Sequence, residues 1–257
     1  MQKKIFPTNL ALALGGGAAR GAFHLGVLEF CEKNSIEIQA YSGSSIGSII
    51  SVAHASGVCA KEQLRIFASK ELRRALKFNY FRNGLLKIDH TSKIIDELIP
   101  IKNLEDLPKP VYINAYDIKE KKLHYFNSGD SITLCMASSA LVPIFKPIKY
   151  KNMYLIDGGL FDNVPIKPLQ NKGYEIFAVD LFPKRTQHTT KKVNPLKLLK
   201  KKVFKELYEN HSHSLANTNY YLGSTHIRNF SLFTFKELEE CFNLGFKEAQ
   251  NHFLGIL

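Results

Sequence analysis

The spacing of apolar and polar residues changes period several times along the chain, and each change marks an element. "NLALAL" is a short apolar run that breaks on three glycines, the pattern of a strand buried on both faces. "RGAFHLGVLEFCEKN" then returns to helical spacing. "IEIQAYS" alternates β-branched and polar residues, as a half-buried strand does, and runs into "SIGSIISVAHASG". There Ile46, Ile49, Ile50 and Ala53 recur at helical spacing, with Gly57 placed to close the helix. A helical region spans about 60–99, with "KEQLRIFASKELRRALKF" and "TSKIIDELI" joined by the looser "NYFRNGLLKIDH". "PVYINAYDI" and "KLHYFN" predict a hairpin around the polar "KEKK". A short helix, "ITLCMASSA", and two more strands, "MYLIDGG" and "YEIFAVDLF", follow. The tail reads as helical through "NPLKLLKKKVFKELYEN" and "FKELEECFNLGFKEAQNHFL". Strands that alternate with helices predict the α/β class, with a mainly parallel central sheet covered by helices on both faces.

Composition sharpens this picture. With 257 residues, 45% of them hydrophobic, and no repeat or long linker, one domain over 1–257 is expected. Its motifs fall within about 8–182, and a basic, helical part covers about 183–257. Net charge is +12, and residues 184–205, "KRTQHTTKKVNPLKLLKKKVFK", hold nine Lys or Arg and no acid. Such a segment seeks anionic partners, either phospholipid head groups or nucleic acid. No zinc-finger, RNA-binding or helix-turn-helix signature accompanies it, so nucleic acid is set aside and peripheral contact with an anionic membrane surface is expected. Between Pro195 and Leu207, Leu196, Leu199, Val203 and Leu207 recur at helical spacing, with Lys197, Lys200, Lys201, Lys202 and Lys205 among them. That stripe either packs on the domain or lies in a bilayer interface. No apolar run approaches the roughly 18 residues of a spanning helix. The opening "MQKKIFPTNLALALGGGAA" imitates a leader, but Pro7, Thr8 and Asn9 interrupt it and it runs into the glycine turn, so it reads as mature chain. The four cysteines form no C-x-x-C pair and no metal spacing with histidine. A reducing, cytoplasmic location follows as the expectation, with a peripheral place at the inner membrane face. No metal site and no cofactor are expected.

Candidate chemistry begins at Gly43-Ser44-Ser45-Ile46-Gly47. G-x-S-x-G is weak alone and gains weight between a strand and a helix, where a sharp turn holds the Ser45 hydroxyl at its tip. "LGGGAARG" precedes it and has two readings. As a dinucleotide fingerprint with Glu37 as the later acid, its frame fails: from Gly15 the sixth position is Arg20, and from Gly16 the third is Ala18. As an oxyanion hole, its glycines let backbone N–H groups converge on developing negative charge. Turns after neighbouring parallel strands emerge at one sheet edge, so the two motifs are expected side by side. A base is then needed. A Ser–Asp–His order would use Asp157 or Asp180 with His226 or a histidine of "HSHS". In the ordinary α/β-hydrolase topology, however, the elbow follows several strands, and here one strand precedes the Ser45 unit. Asp157 in "YLIDGGLFDNVP" ends a strand, with Gly158 and Gly159 leaving room for Ser45 to approach; D-G-G is also an ordinary turn.

The four blocks "GGGAARG", "GSSIG", "ASSALVPIFKPI" and "DGGLFDNVP", in this order, closely resemble the patatin-like phospholipases, especially the small bacterial members, over about residues 10–170. The resemblance implies a three-layer α/β/α fold and a serine–aspartate dyad acting on lipid acyl esters without a catalytic histidine. It makes Ser45 the nucleophile and Asp157 the base. The turn Gly15, Gly16, Gly17, Ala18 and Ala19 becomes the oxyanion hole, with Gly43 and Gly47 supporting the elbow and Gly158 and Gly159 the aspartate. Ala18 departs from the plant pattern, which has glycine there; an alanine N–H serves equally if its φ stays negative. Arg20 either steadies this turn or meets a lipid phosphate, or else pairs with a local carboxylate. His24 sits where many bacterial relatives carry histidine, and on an apolar helix it reads as a core residue. Ser138 and Ser139 read as turn-shaping, and Asp162 and Asn163 as fixing the loop after Asp157. The expected activity is that of a phospholipase A or lysophospholipase. The rivals are a soluble carboxylesterase or thioesterase with the same dyad, and a non-catalytic phosphate- or membrane-binding module.

Overall fold

The computed structural model describes residues 7–77, 87–88, 93–142, 145–183, 218–233 and 236–255. The expected basic helix over 195–207, and with it His211 and His213, lies outside them. Within the described residues the order is β1 (Leu10–Leu14), α1 (Gly21–Lys33), β2 (Ile38–Gly43), α2 (Ile46–Ala55), α3 (Ala60–Ala68) and α4 (Lys70–Ala75). A small ribbon, β3 (Leu76–Lys77) with β4 (Lys87–Ile88), precedes α5 (Lys93–Leu98). Then come β5 (Val111–Asp117), β6 (Lys122–Phe126), α6 (Ser131–Ser138), β7 (Ile148–Tyr150), β8 (Met153–Asp157), β9 (Glu175–Val179), β10 (Tyr220–Leu222) and α7 (Leu238–Gly255).

Eight strands form one sheet in the order β10-β9-β1-β2-β5-β8-β7, with β6 on the other edge of β5. The β10–β9, β9–β1, β1–β2 and β2–β5 pairs are parallel; those of β5 with β6, β5 with β8 and β7 with β8 are antiparallel. The α/β class and the parallel half follow the sequence pattern. So does the antiparallel β5–β6 hairpin; the reversal that pairs β8 with β5 and the short β7 do not, because three-residue strands carry too few positions to show a period.

β1 shows how the sheet builds two layers. Leu10, Leu12 and Leu14 point into the main core, while Ala11 and Ala13 point the other way. On that second face Ala40 and Ala178 keep the surface flat, so that Val164, Ile166 and Leu169, around the short 3₁₀ turn Lys167–Leu169, lie directly on it. α1 is apolar nearly all round and buried from Gly21 to Cys31, as a helix enclosed by its neighbours must be. It is sandwiched by α7, where Phe30 stacks on Phe253 at 5.6 Å and meets Phe246 edge-on at 5.8 Å.

The α1–α7 crossing depends on two glycines. A Cβ on Gly26 would sit 2.0 Å from the Phe242 carbonyl oxygen, and one on Gly245 would sit 2.1 Å from that of Phe23. Backbone lies against backbone, so no side chain can rotate away to make room. Gly26→Ala should therefore cost at least about 1–3 kcal/mol through overpacking, although alanine favours helix. In a chain of this size that lowers the melting temperature by about 2–4 °C per kcal/mol. Thermal melts of the two proteins check it, and an unchanged midpoint would mean that the helices cross less closely.

Candidate active site

β2 and β8 both pair with β5 along one edge, since β6 occupies the other. β2 runs parallel and ends with Gly43 opposite Ile113; β8 runs antiparallel and ends with Asp157 opposite Ala115. The carboxyl ends of two strands thus meet head-on, one β5 residue apart, at Asn114. The elbow leaves one strand end and the aspartate leaves the other, so Ser45 and Asp157 come together from 112 positions apart in sequence.

Ser45 has φ 51 and ψ −122, a sparsely populated conformation that costs on the order of 1–3 kcal/mol for a residue with a Cβ. Tight packing imposes it. A Cβ on Gly43 would lie 2.5 Å from the Gly47 carbonyl, and one on Gly47 would lie 2.1 Å from the Leu14 carbonyl oxygen. The two glycines of G-x-S-x-G therefore fold the elbow onto itself and against the end of β1. Backbone bonds complete the turn: Ser44 N–H to Leu14 O at 3.1 Å, and Gly47 N–H to Ser44 O at 2.8 Å. Ser45 is the N-cap of α2 yet makes no side-chain capping bond. Its hydroxyl instead stands near enough to the Asp157 carboxyl to favour that group's ionised form.

Asp157 is buried, and its Oδ1 accepts the Gly159 N–H at 2.8 Å. Burial pushes its carboxyl up to about 7, against the opposing pull of the Gly159 N–H and the Ser45 hydroxyl. A carboxyl there is part ionised near neutral pH and can accept a proton from the serine. Gly158 and Gly159 make room, but not for Ser45 as expected. A Cβ on Gly158 would strike Asn114, and one on Gly159 would lie 2.7 Å from Ser44 Oγ.

The glycine turn lies beside the elbow: a Cβ on Gly16 would stand 3.2 Å from that of Ser45. Its N–H groups are not all available. Gly15 N–H bonds Val179 O at 3.0 Å, Gly16 N–H bonds Asn163 O at 3.3 Å, and Ala19 N–H bonds Leu232 O at 3.1 Å. This corrects the five-residue oxyanion hole, because three of its donors hold the turn in place. Gly17 and Ala18 N–H are without a partner among the described residues. Ala18 also departs from the expected negative φ, with φ 49. Under the turn, His24 Nε2 lies 2.7 Å from Gly15 O, and its complete burial lowers its pKa to about 4. His24 is thus a neutral donor to the turn and a support for it.

Arg20 is also a support. It is 8% exposed, and its Nε and Nη1 donate to Phe230 O at 3.0 Å and Leu181 O at 3.3 Å. The guanidinium joins the turn to the loops after β9 and β10. These contacts are with carbonyls. The open depression that Arg20 lines with Arg228, Phe230, Phe233 and Lys236, about 560 Å³, includes neither Ser45 nor Asp157.

Ser138, read from the sequence as turn-shaping, and Asn114, which motif reading missed, join the halves. Ser138 Oγ accepts the Ser45 N–H at 2.8 Å and donates to Asn114 Oδ1 at 3.4 Å, while Asn114 Nδ2 donates to Asp162 O. Ser138 thus anchors the Ser45 peptide, and Asn114 bridges elbow and aspartate loop. Its signal in sequence was a polar residue mid-strand in "YINAY", where an apolar one fits the pattern. Asn163, through Gly16, and Asp162, which accepts the Tyr125 hydroxyl at 2.6 Å, fix the loop as expected. Asp180 bonds Phe182 N–H and the Tyr221 hydroxyl, and His226 is exposed beside Glu248. Neither is bonded to Ser45.

Comparison with known proteins gives this geometry a family. Relatives include the lysophospholipase NTE1 of Debaryomyces hansenii, 31% identical over 190 residues, covering 67% of this chain but 12% of that one. An uncharacterized NTE family protein of Mycobacterium bovis is 27% identical over 163 residues, covering 63% of this chain and 45% of its own. The chain therefore spans about an eighth of the fungal relatives' length and under half of the mycobacterial one's. Among solved structures, VipD from Legionella pneumophila matches with TM-score 0.54 at 15% identity, over 97% of this chain and 67% of that one. The type III effector ExoU matches with TM-score 0.51 at 15% identity, over 97% and 53%. At such identities the likeness concerns the fold. The model of the patatin-like phospholipases matches residues 12–169, from inside β1 to beyond the aspartate loop, and to that family the chain belongs.

Proposed function

We propose that the protein is a serine acyl hydrolase of lipid esters, of the phospholipase A or lysophospholipase type, with Ser45 as nucleophile and Asp157 as its base. The observation that carries this is the meeting of a strained elbow serine, whose hydroxyl caps no helix, with a buried carboxyl raised to about 7 that the hydroxyl helps keep ionised. Family membership and relatives named lysophospholipases support the lipid substrate.

In the first half-reaction Asp157 takes the Ser45 proton as Oγ attacks the ester carbonyl. The oxyanion forms beside the N-terminus of α2 and the glycine turn, where Gly17 and Ala18 N–H are the candidate donors. Collapse expels the alcohol, which leaves with the proton from Asp157. Water then enters, gives a proton to Asp157 and attacks the acyl-serine, and the fatty acid departs as Ser45 regains its proton. The buried carboxylate is close in charge and position throughout, so no histidine is needed to relay the proton.

Ser45→Ala should abolish hydrolysis of a p-nitrophenyl ester and labelling by a fluorophosphonate probe. Asp157→Asn should lower turnover by about 10²–10⁴-fold. Retention of more than a few per cent of activity by Ser45→Ala would sink the assignment, and absence of labelling in the native protein would favour the binding-module reading. Comparing a lysophospholipid with short soluble esters and thioesters separates the lipase from its esterase and thioesterase rivals.

The raised pKa sets two pH dependences. A base must be ionised, so kcat/KM should fall as pH drops through about 7. Stability runs oppositely. The folded chain binds the Asp157 proton more tightly than the unfolded one, whose carboxyl titrates near 3.8, so stability declines as pH rises from about 4 to 7. Asp157→Asn removes that buried charge and should melt higher than the native protein at pH 8, with the gain shrinking toward pH 4. A lower melting point at pH 8 would contradict it.

The membrane part of the reading rests on charge alone. Lysines near an anionic surface contribute about 1 kcal/mol each, screened by salt. Replacing Lys200, Lys201 and Lys202 by Glu should reduce activity on anionic vesicles, weaken vesicle binding and spare a soluble ester. Equal activity of both proteins on vesicles would remove these lysines from recruitment.

A further inference from the structure

Two buried polar atoms without hydrogen-bond partners lie close together in the β5–β6 hairpin. They are Oδ2 of Asp117 and Nε2 of His124. Asp117 is 0% exposed, and its Oδ1 is already used, accepting Lys119 N–H at 3.0 Å and Tyr154 N–H at 3.2 Å. An isolated carboxylate oxygen and an isolated imidazole nitrogen in one buried spot are costly unless something joins them. They do not join each other: no hydrogen bond or ion pair links Asp117 and His124. Glu120, exposed in the hairpin turn, completes a set in which one ligand atom from each residue lies within 4.8 Å of the others.

That spacing is too long for direct bonding and slightly wider than a loaded metal site. Ligand bonds of about 2.0–2.2 Å bring neighbouring donors to about 3.5 Å apart. The contraction needed falls on Glu120, which is free to swing inward. We propose that Asp117, Glu120 and His124 form a binding site for one divalent transition-metal ion, of the zinc or cobalt class. Two carboxylate oxygens and one imidazole nitrogen suit that class better than calcium or magnesium, which take oxygen ligands alone. The exposed Lys119, Lys121 and Lys122 flank the turn and oppose a cation at long range, so binding should tighten as salt rises.

The ion would be structural. Asp117 pairs with Leu155 in β8, the strand that ends in Asp157, and Tyr125, next to His124, holds Asp162. A metal there would pin the turn end of the hairpin, whose Asp117 also accepts the Tyr154 N–H of β8. The inference needs no part of the hydrolase reading, and its test does not use activity.

The full chain, with Cys59→Ser to remove its exposed thiol, is stripped with chelator and titrated with Co²⁺ and Zn²⁺. One equivalent of Co²⁺ should bind with visible d–d absorption, Zn²⁺ should displace it, and the melting temperature should rise. Glu120→Gln and His124→Ala should each weaken binding at least about 10-fold. Glu120 is exposed, so its variant tests the site without endangering the fold. No saturable binding, or binding unchanged in both variants, overturns the proposal.

Discussion

The arrangement of β2 and β8 along a single edge of β5 is the constraint on which the rest of the molecule depends. A purely parallel sheet would set the two strand ends side by side at one edge; here they face each other along β5 instead. By reversing direction after β5, the chain brings a second carboxyl end against the first. Asn114, at the junction, has both strand ends within reach of one side chain. Its burial is satisfied by bonds to Ser138 and Asp162, so the gap is filled by a fixed polar strut. A fully bonded buried network of this kind holds a geometry that a loop would let drift.

The same closeness supports the proposed dyad, in which a carboxylate and a serine would act without histidine. A carboxylate in water is a weak base, with a pKa near 4. Buried under the D-G-G turn, Asp157 moves up to about 7 and gains basicity in the pH range where a serine proton must be accepted. The glycines are part of this effect. They let the chain close over the carboxyl, with Gly159 N–H as its sole backbone donor among the described residues, too few to hold it fully ionised. Strain at Ser45 and a disfavoured buried charge both weaken the fold at the site. The dense α1–α7 crossing and the leucine face of β1 offset that cost elsewhere, in agreement with the general placement of strain at functional positions.

The glycine turn is similarly over-determined. Gly15 and Gly16 are tied to β9 and to Asn163, His24 supports the turn, and Arg20 ties it to the segments after β9 and β10. Such a turn presents its remaining N–H groups without having to reorganise when charge develops, the property on which electrostatic stabilisation depends. The C-terminal elements take part as well: β10 extends the sheet beside β9, and α7 covers α1. The motif-bearing and C-terminal parts therefore share one core.

Local chemistry made several features legible in the sequence alone. The apolar "LALAL" run, the strand–turn–helix around Ser45, the hairpin at "KEKK" and the helical tail "FKELEECFNLGFKEAQNHFL" each carry enough consecutive positions to reveal a period. The glycines of G-x-S-x-G, the glycine turn and D-G-G marked where backbone must approach backbone. Which group each glycine meets was not legible: Gly159 faces Ser44, and Gly26 faces a helix more than 200 residues later. Nor was the division of the glycine turn into bonded and free donors, since that depends on carbonyls from Val179, Asn163 and Leu232. Asn114 shows in sequence only as a polar residue mid-strand and Ser138 only as a turn serine, because the partners that give them their roles come from other segments. Periodicity and turn chemistry are properties of neighbours in sequence and are written there. Hydrogen-bond satisfaction, burial and the pKa of Asp157 arise only when distant segments close around a group, and those the tertiary structure decided.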